Sequence, residues 1–212
     1  MHKVIIMTMI DPYIFRCPIC GEEFEDYVLA SSNQSGASDL DTRPPEMIRS
    51  TMNIWIHECS QCGYAARDFD EKPQVNRDFI ESDIYQNIGF EFKSDLAKSF
   101  YREYLILKEE GCTDVLFHPL LNCAWACDDF DDTDNAVEIR KMCAEIIGED
   151  TETLSLIRLD LLRRSRQFDR VIEEYSSKTF SEEILNKICT FSIIKAKSAD
   201  DACYTVEDAM QY

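Results

Sequence analysis

The pattern of apolar and polar positions changes near Ser94. Upstream of it, short stretches alternate with a period of two, as half-buried β-strands do. The run VIIMTMI (4–10) predicts a first strand, and TMNIWIHE (51–58) predicts a later one that leads directly into Cys59. The opposite faces of the later strand are Met52, Ile54 and Ile56 on the buried side and Asn53, Trp55 and His57 on the exposed side.

From Ser94 onward, apolar residues recur every three or four positions, which is the period of an amphipathic helix. Five or six helices are predicted, joined by short turns. Their apolar positions are, in turn, Leu96, Phe100, Tyr104 and Leu107; Leu116, Leu120, Cys123, Ala124 and Cys127; Ala136, Ile139, Cys143, Ile146 and Ile147; Leu154, Ile157, Leu161 and Leu162; Phe168, Val171, Ile172 and Tyr175; Ile184, Ile188 and Phe191.

Several polar residues and glycines predict where these helices begin and end. Gly111 is expected to end the first helix and Gly148 the third. Capping boxes, in which a side chain at each end of a four-residue motif bonds the backbone, are predicted at 135–138 and 179–182. Helical hairpins repeating about every 34 residues predict tetratricopeptide-like stacking, with LIRLDLLRRSRQFDRVIEEY (156–175) as the best match. A plain helical bundle is the alternative.

Composition and charge exclude several classes of partner. The 212 residues carry a net charge of -19, and 45% of them are hydrophobic, enough to form a core. The segments 1–72, 73–93 and 94–212 each hold more acidic than basic residues, so neither nucleic acid nor an anionic membrane is an expected partner. The run 4–10 is too short for a signal peptide, and no apolar stretch approaches the roughly 20 residues of a membrane span, so a cytoplasmic location is expected.

The ten cysteines include two pairs with metal-ligand spacing. Cys17 and Cys20 lie in RCPICGE, and Cys59 and Cys62 lie in HECSQCGYAAR. Such turns present two thiolates to one side of a metal ion, and the glycine behind each pair supplies the positive φ that the turn needs. The four cysteines are therefore predicted to bind one structural Zn²⁺ ion, and the other six are expected to be small buried hydrophobic residues.

The interval between the two pairs is longer than the about 15–20 residues of compact four-cysteine sites. Its excess is ASSNQSGASDLDTRPPEM (30–47), which has the composition of an inserted surface loop. A longer loop costs only about 0.6 kcal/mol per doubling, whereas structural zinc contributes roughly 10–16 kcal/mol. The insertion is therefore expected to leave the metal site intact.

Other interpretations of the paired cysteines are weaker. A catalytic zinc ion keeps one coordination position open for water, and four thiolates fill all four. A thioredoxin-like dithiol needs a βαβ context that this region lacks. His57 is a conceivable substitute ligand, but a solvated histidine on the exposed strand face is favoured.

Two charged stretches and one further cysteine pair lie in the helical part. CDDFDDTDN (127–135) lacks the register of a calcium-binding loop and is predicted to be a solvated turn. Cys123 and Cys127 are one helical turn apart and are expected to be buried rather than to form half a metal site. Five arginines are the only basic cluster, for which a solvated face is favoured over a site for an acidic or phosphorylated ligand. They are Arg158, Arg163, Arg164, Arg166 and Arg170, with Arg163 and Arg166 as the candidate ligand-binding residues because a helix would place them on one face.

The stretches CPIC-G at 17–21, TRPPEM-x-RST at 42–51 and C-x-x-CGYAA at 59–66 resemble a bacterial domain family of unknown function. That family joins a split four-cysteine zinc module to tetratricopeptide-like helices. The resemblance implies Cys17, Cys20, Cys59 and Cys62 as ligands, and the sequence departs from it at Ser60, where many such knuckles have proline. It implies no activity.

Taken together, these patterns predict an α+β, mostly α fold. A small β zinc-ribbon-like module at 1–72 is expected to contain the inserted loop 30–47, with a connector at 73–93 and a tetratricopeptide-like helical domain at 94–212. The predicted function is that of a non-enzymatic adaptor with an unidentified protein partner, and no catalytic residue is predicted. The alternatives are a metal- or thiol-dependent enzyme, for which His2, His57 and His118 are the only histidines, and a nucleic-acid-associated zinc ribbon.

Overall fold

A computed structural model describes residues 8–212, and its fold is α+β and mostly α, as predicted. Most of the predicted strand at 4–10 lies outside these residues. The strands are β1 (Met9–Arg16), β2 (Glu23–Ser31), β3 (His57–Glu58) and β4 (Ala65–Ala66). The helices are α1 (Glu46–Arg49), α2 (Arg77–Ile80), α3 (Asp83–Gln86), α4 (Asp95–Glu109), α5 (Phe117–Asp129), α6 (Thr133–Ile146), α7 (Glu152–Arg164), α8 (Phe168–Tyr175), α9 (Glu183–Lys197) and α10 (Val206–Gln211), with short 3-10 turns at Met52–Ile54 and Thr113–Val115.

The strands form two antiparallel hairpins, β1 with β2 and β3 with β4. In each hairpin a cysteine pair occupies the turn between the strands, so the predicted short strands leading into and out of the cysteine turns are confirmed. The predicted strand over 51–58 is wrong for most of its length. Only His57–Glu58 is a strand, and a 3-10 turn precedes it, although Met52, Ile54 and Ile56 are buried as expected.

In the long helices the apolar residues follow the predicted spacing, but the N-terminal caps of α6 and α9 differ from those predicted. Ser94 caps α4 by accepting a hydrogen bond from the Ala97 N–H, and Gly111 follows that helix with a φ of 74°. Helix α6 begins after Asp132, so the capping box predicted at 135–138 lies inside the helix. Helix α9 begins after Glu182 without the predicted side-chain bond from Thr179. The short helices α1, α2, α3 and α10 have no clear period and were not predicted.

Apolar side chains from the N-terminal and helical parts share clusters. The main core extends through α4 to α9 and also contains Leu40, Met52, Ile56 and Ala65. A second cluster around Cys17 and Cys59 includes Ile106 of α4. The division at 72 and 93 stays a prediction, and packing crosses it in both clusters.

Within the predicted surface loop, Asp39, Leu40, Asp41 and Arg43 are buried and only Thr42 of this segment is exposed, so that part of the loop prediction is wrong. Asp41 is 0% exposed and accepts hydrogen bonds from Trp125 Nε1 at 2.8 Å and from an Arg164 terminal nitrogen at 3.1 Å. The Leu40 N–H donates to the Tyr204 carbonyl at 2.9 Å. Polar composition alone predicted a solvated loop, but these polar groups have buried partners far along the chain.

The acidic stretch 127–135 is only partly the solvated turn that was predicted. Asp128 binds Arg140 and Arg164, and Asp132 is buried and accepts the Lys93 N–H at 3.0 Å. Burial alone would raise the pKa of Asp128, but Arg140 and Arg164 outweigh it and hold that pKa below its ordinary value. Two of these aspartates are therefore structural anchors.

Among the six cysteines outside the pairs, Cys123, Cys127, Cys143 and Cys189 are buried as expected. Cys112 is half-buried and Cys203 is exposed, so for these two the prediction is wrong. Within residues 8–212, no helix is both long enough and apolar enough to cross a bilayer.

Candidate metal centre

The two cysteine turns have the same backbone geometry. The Cys17 N–H donates to the Glu22 carbonyl at 2.8 Å, and the Gly21 N–H donates to the Cys17 carbonyl at 2.9 Å. The second turn repeats both bonds, from Cys59 to Tyr64 at 2.9 Å and from Gly63 to Cys59 at 2.8 Å. Ser60 in place of proline therefore leaves the turn unchanged.

All four predicted ligands come together. The Sγ atoms of Cys17 and Cys62 are 3.6 Å apart, as are those of Cys20 and Cys59, and all four sulfurs lie within 4.8 Å of one another. Metal–sulfur bonds of about 2.3 Å in a tetrahedron require sulfurs about 3.8 Å apart. This group can therefore hold a metal ion.

The four thiols lie close enough together that a cation bound among them would favour their ionised, thiolate form. Burial raises the pKa of Cys17 and of Cys62. Burial also opposes ionisation of Cys20, but backbone and thiol hydrogen bonds outweigh it and lower that pKa. Four crowded thiolates repel one another, and a divalent ion would supply the charge that stabilises all four in the ionised form.

His57 supports the centre without joining it. Its Nδ1 lies 2.7 Å from an Asp26 carboxylate oxygen on β2, and its ring lies 4.2 Å from that of Phe15 on β1. The side chain is buried, so the predicted solvated histidine is wrong, and the group of candidate ligands among residues 8–212 does not include it. His57 instead joins β3 to the first hairpin.

The second turn is fixed to the helices by residues that the sequence did not indicate. Tyr85 of α3 donates its hydroxyl to the Gly63 carbonyl at 2.7 Å, and Arg102 of α4 binds Glu58 at 2.5 Å. Gly63 has a φ of 76°, and a Cβ there would lie 3.2 Å from an Arg102 terminal nitrogen. Glycine is therefore required at this position by its backbone angle and by the approach of Arg102.

The arginine cluster is not the solvated face that the sequence favoured, because Arg163 and Arg164 are buried, and Arg163 and Arg166 do not form the alternative ligand site on one helix face. Arg163 is 0% exposed, and its guanidinium binds Asp160 at 2.6 Å and the Asp200 carbonyl at 2.8 Å. Arg166 lies beyond the end of α7 with a φ of 63°, and its side chain is 53% exposed and paired with Asp201. The two residues share no helix face, because α7 ends at Arg164. Carboxylates also bind the remaining members of the cluster, Arg158, Arg164 and Arg170.

Comparisons with protein-family models, with curated proteins and with solved structures found no match to this chain. The resemblance to a zinc-and-helix family stays a prediction. The geometry supports a closed metal site in which every donor is a thiol, with each cysteine pair held by a hairpin.

Proposed function

We propose that the protein is a cytoplasmic adaptor that binds a protein partner and holds one structural Zn²⁺ ion at Cys17, Cys20, Cys59 and Cys62. The observation that carries the partner proposal is an outward apolar face on the β1–β2 hairpin. The metal would fix the turn of that hairpin. The helices would serve as a tetratricopeptide-like scaffold, since α4, α5, α6 and α7 each pack on the next.

The donor set favours a structural zinc ion. Soft thiolates suit zinc, and four of them complete a tetrahedron and leave no position for a reacting water molecule. The four thiols must stay reduced to bind metal, which fits a reducing compartment. These features favour a binding protein over a metalloenzyme.

Strand pairing divides the side chains of the β1–β2 hairpin between two faces. Phe15 pairs with Phe24. Phe15 lies against the His57 ring, and both phenylalanines belong to or pack on the cluster that contains Cys17 and Cys59. Ile10, Ile14 and Tyr27 lie on the opposite face, because paired residues share a side and alternate residues repeat it. All three are exposed, with Ile14 at 68%. Apolar side chains grouped in this way mark interaction surfaces.

One zinc ion per chain is the expected result of elemental analysis on protein purified without added metal. Four thiolates saturate a single tetrahedral ion, so neither zero nor two fits the site. Folded, metal-free protein would contradict the zinc assignment, and so would protein in which the four cysteines form disulfides. The Cys189→Ser variant is the control, since Cys189 is buried outside the cluster and its loss should leave the stoichiometry unchanged.

Ile14→Lys is expected to weaken partner binding by about tenfold or more, because exposed apolar residues at an interface centre contribute most of its binding energy. Ile84→Lys is the matched control, since Ile84 is also 68% exposed but lies on α3. Affinity purification from native cells with quantitative mass spectrometry would compare the wild type with both variants. Proteins lost only with Ile14→Lys support the proposal, and equal recovery with both variants contradicts it.

A further inference from the structure

A cleft of about 490 Å³ lies where the N-terminal part meets α4 and α5. Small-molecule sites commonly enclose about 300–1,000 Å³, mainly between apolar walls with a few polar groups. Six of the lining residues matter here: Trp55, Arg67, Glu103, Leu107, Val115 and His118. Neither the metal centre nor the outward face of the hairpin includes any of them.

Glu103 lines this cleft and carries a buried acceptor. Its Oε1 accepts a hydrogen bond from Arg67 Nε at 2.8 Å, whereas its Oε2 has no donor among residues 8–212. The side chain is only 8% exposed, and burial raises the pKa of Glu103 against the lowering effect of Arg67. A buried acceptor without a donor is costly, so a ligand N–H at this atom would be stabilising.

Arg67 and His118 add further hydrogen-bonding capacity. The Arg67 side chain is 42% exposed, and within residues 8–212 only its Nε has a hydrogen-bond acceptor. Burial lowers the pKa of His118, and the charge of Arg67 lowers it further, so the imidazole is neutral near pH 7. Arg67 and Glu103 cancel each other's charge. The cleft therefore offers donors and an acceptor but no net charge.

Trp55 supplies an aromatic surface in a fixed orientation. Its Nε1 donates to the Thr51 hydroxyl at 3.0 Å, and Thr51 in turn donates to the Ile48 carbonyl at 2.7 Å. The indole nitrogen is thus already satisfied, and the ring is left for apolar contact. Leu107 and Val115 extend this apolar lining.

We infer that this cleft binds a small, neutral, planar carboxamide. The Glu103 carboxyl, whose Oε2 has almost no accessible surface, turns toward the cleft so that Oε2 accepts the amide N–H, while the amide carbonyl accepts from an Arg67 terminal nitrogen and the ring contacts Trp55. A carboxylate ligand would lack the donor for Glu103, and an ammonium ligand would lack the acceptor for Arg67. This site is independent of the adaptor proposal.

The two tryptophans of the chain allow a direct binding test on the full-length protein. Trp55 lines the cleft, whereas Trp125 is buried and bonded to Asp41, so Trp125 serves as an internal reference. With 5-fluorotryptophan incorporated, benzamide should shift the Trp55 ¹⁹F resonance saturably and leave that of Trp125 in place. Benzoate and benzylamine should bind at least about tenfold more weakly, because each leaves one polar group unpaired. Equal or tighter binding of either charged probe, or no benzamide response, would overturn the inference.

Two variants locate the site. Glu103→Gln should weaken benzamide binding by about tenfold, since the carboxylate acceptor is lost. Val115→Phe should also weaken it by filling the cleft without altering Arg67 or Glu103. Ile184→Phe is the matched control, because Val115 is 42% exposed and Ile184 is 41% exposed on a distant helix. Unchanged affinity in folded Val115→Phe protein, or an equal loss in Ile184→Phe, would show that the shift arises elsewhere.

Discussion

Cys59→Ser is expected to unfold both hairpins. Structural zinc contributes roughly 10–16 kcal/mol, and losing one of four thiolates removes a large share of it from a fold whose total stability is about 5–15 kcal/mol. A two-stranded hairpin is marginal by itself in water. Hydrogen exchange followed by mass spectrometry should therefore show lost protection in β1–β2 and β3–β4.

The loss of hydrogen-exchange protection should extend to the parts of α3 and α4 that contact the second turn, through Tyr85, Arg102 and Ile106. Residues 39–43 should keep their protection, because they bond to Trp125, Arg164 and Tyr204 rather than to the metal centre. Cys189→Ser is the control, a buried cysteine outside the cluster, and should leave both hairpins protected. Protection lost evenly over the whole chain in Cys59→Ser would mean that the metal centre and the helical core unfold as one unit.

The candidate metal ligands could be predicted because their chemistry is local. Each cysteine pair with its glycine forms one turn, so spacing alone specifies two ligands and their direction. The long helices could be predicted for a similar reason, since their apolar residues recur every three to four positions over several turns. Both signals are independent of the rest of the chain.

The elements that sequence reasoning missed depend on side-chain contacts that the spacing of apolar residues does not show. Residues 52–54 alternate like a strand but form a 3-10 turn, because Thr51 bonds the Ile48 carbonyl and the Trp55 indole. Asp41 looked like part of a solvated loop, yet Arg164 and Trp125 bury it. No pattern within either segment reveals these contacts.

The arginines illustrate the same limit for function. Five of them lie close together in sequence and suggest a basic surface, but their carboxylate partners come from several other elements. Arg158 binds Glu149 and Glu174, and Arg164 binds Asp41 and Asp128. A cluster of like charges along a chain indicates a binding surface only if folding leaves those charges without partners.

Residues 39–43 link the N-terminal part to the helical core through buried charges. Asp41 lies among Arg164, Trp125 and, at 4.0 Å, Arg140. Thr42 has a φ of 69°, which is costly for a β-branched residue and persists only where the surroundings fix it. The Thr42 N–H donates to the Asp39 carbonyl at 2.9 Å, and the Asp39 N–H donates to the Arg43 carbonyl at 2.9 Å. The segment is therefore held both by its own turn and by the core.

Asp41→Asn is expected to destabilise the fold by about 3 kcal/mol or more, because it leaves two buried guanidinium groups to share Asp128. For a chain of this length, that corresponds to a fall in Tm of roughly 6–12 °C. Asparagine keeps the shape of the side chain and an acceptor for Trp125, so the loss reports the charge together with the 3.3 Å hydrogen bond that the Arg43 N–H donates to the second oxygen. Urea unfolding followed by tryptophan fluorescence would measure it.

Asp129→Asn is the matched control for this charge effect. Asp129 pairs with Arg43 of the same segment, but its side chain is 41% exposed, and exposed ion pairs contribute about 0–1 kcal/mol. The double variant Asp41→Leu with Arg164→Met should recover part of the stability that Asp41→Asn loses, since an apolar pair does not leave the buried guanidinium of Arg164 without its partner. Equal effects of Asp41→Asn and Asp129→Asn would show that the buried position of Asp41 adds nothing. In that case the link between the two parts of the chain would rest on apolar contacts such as those of Leu40 in the main core.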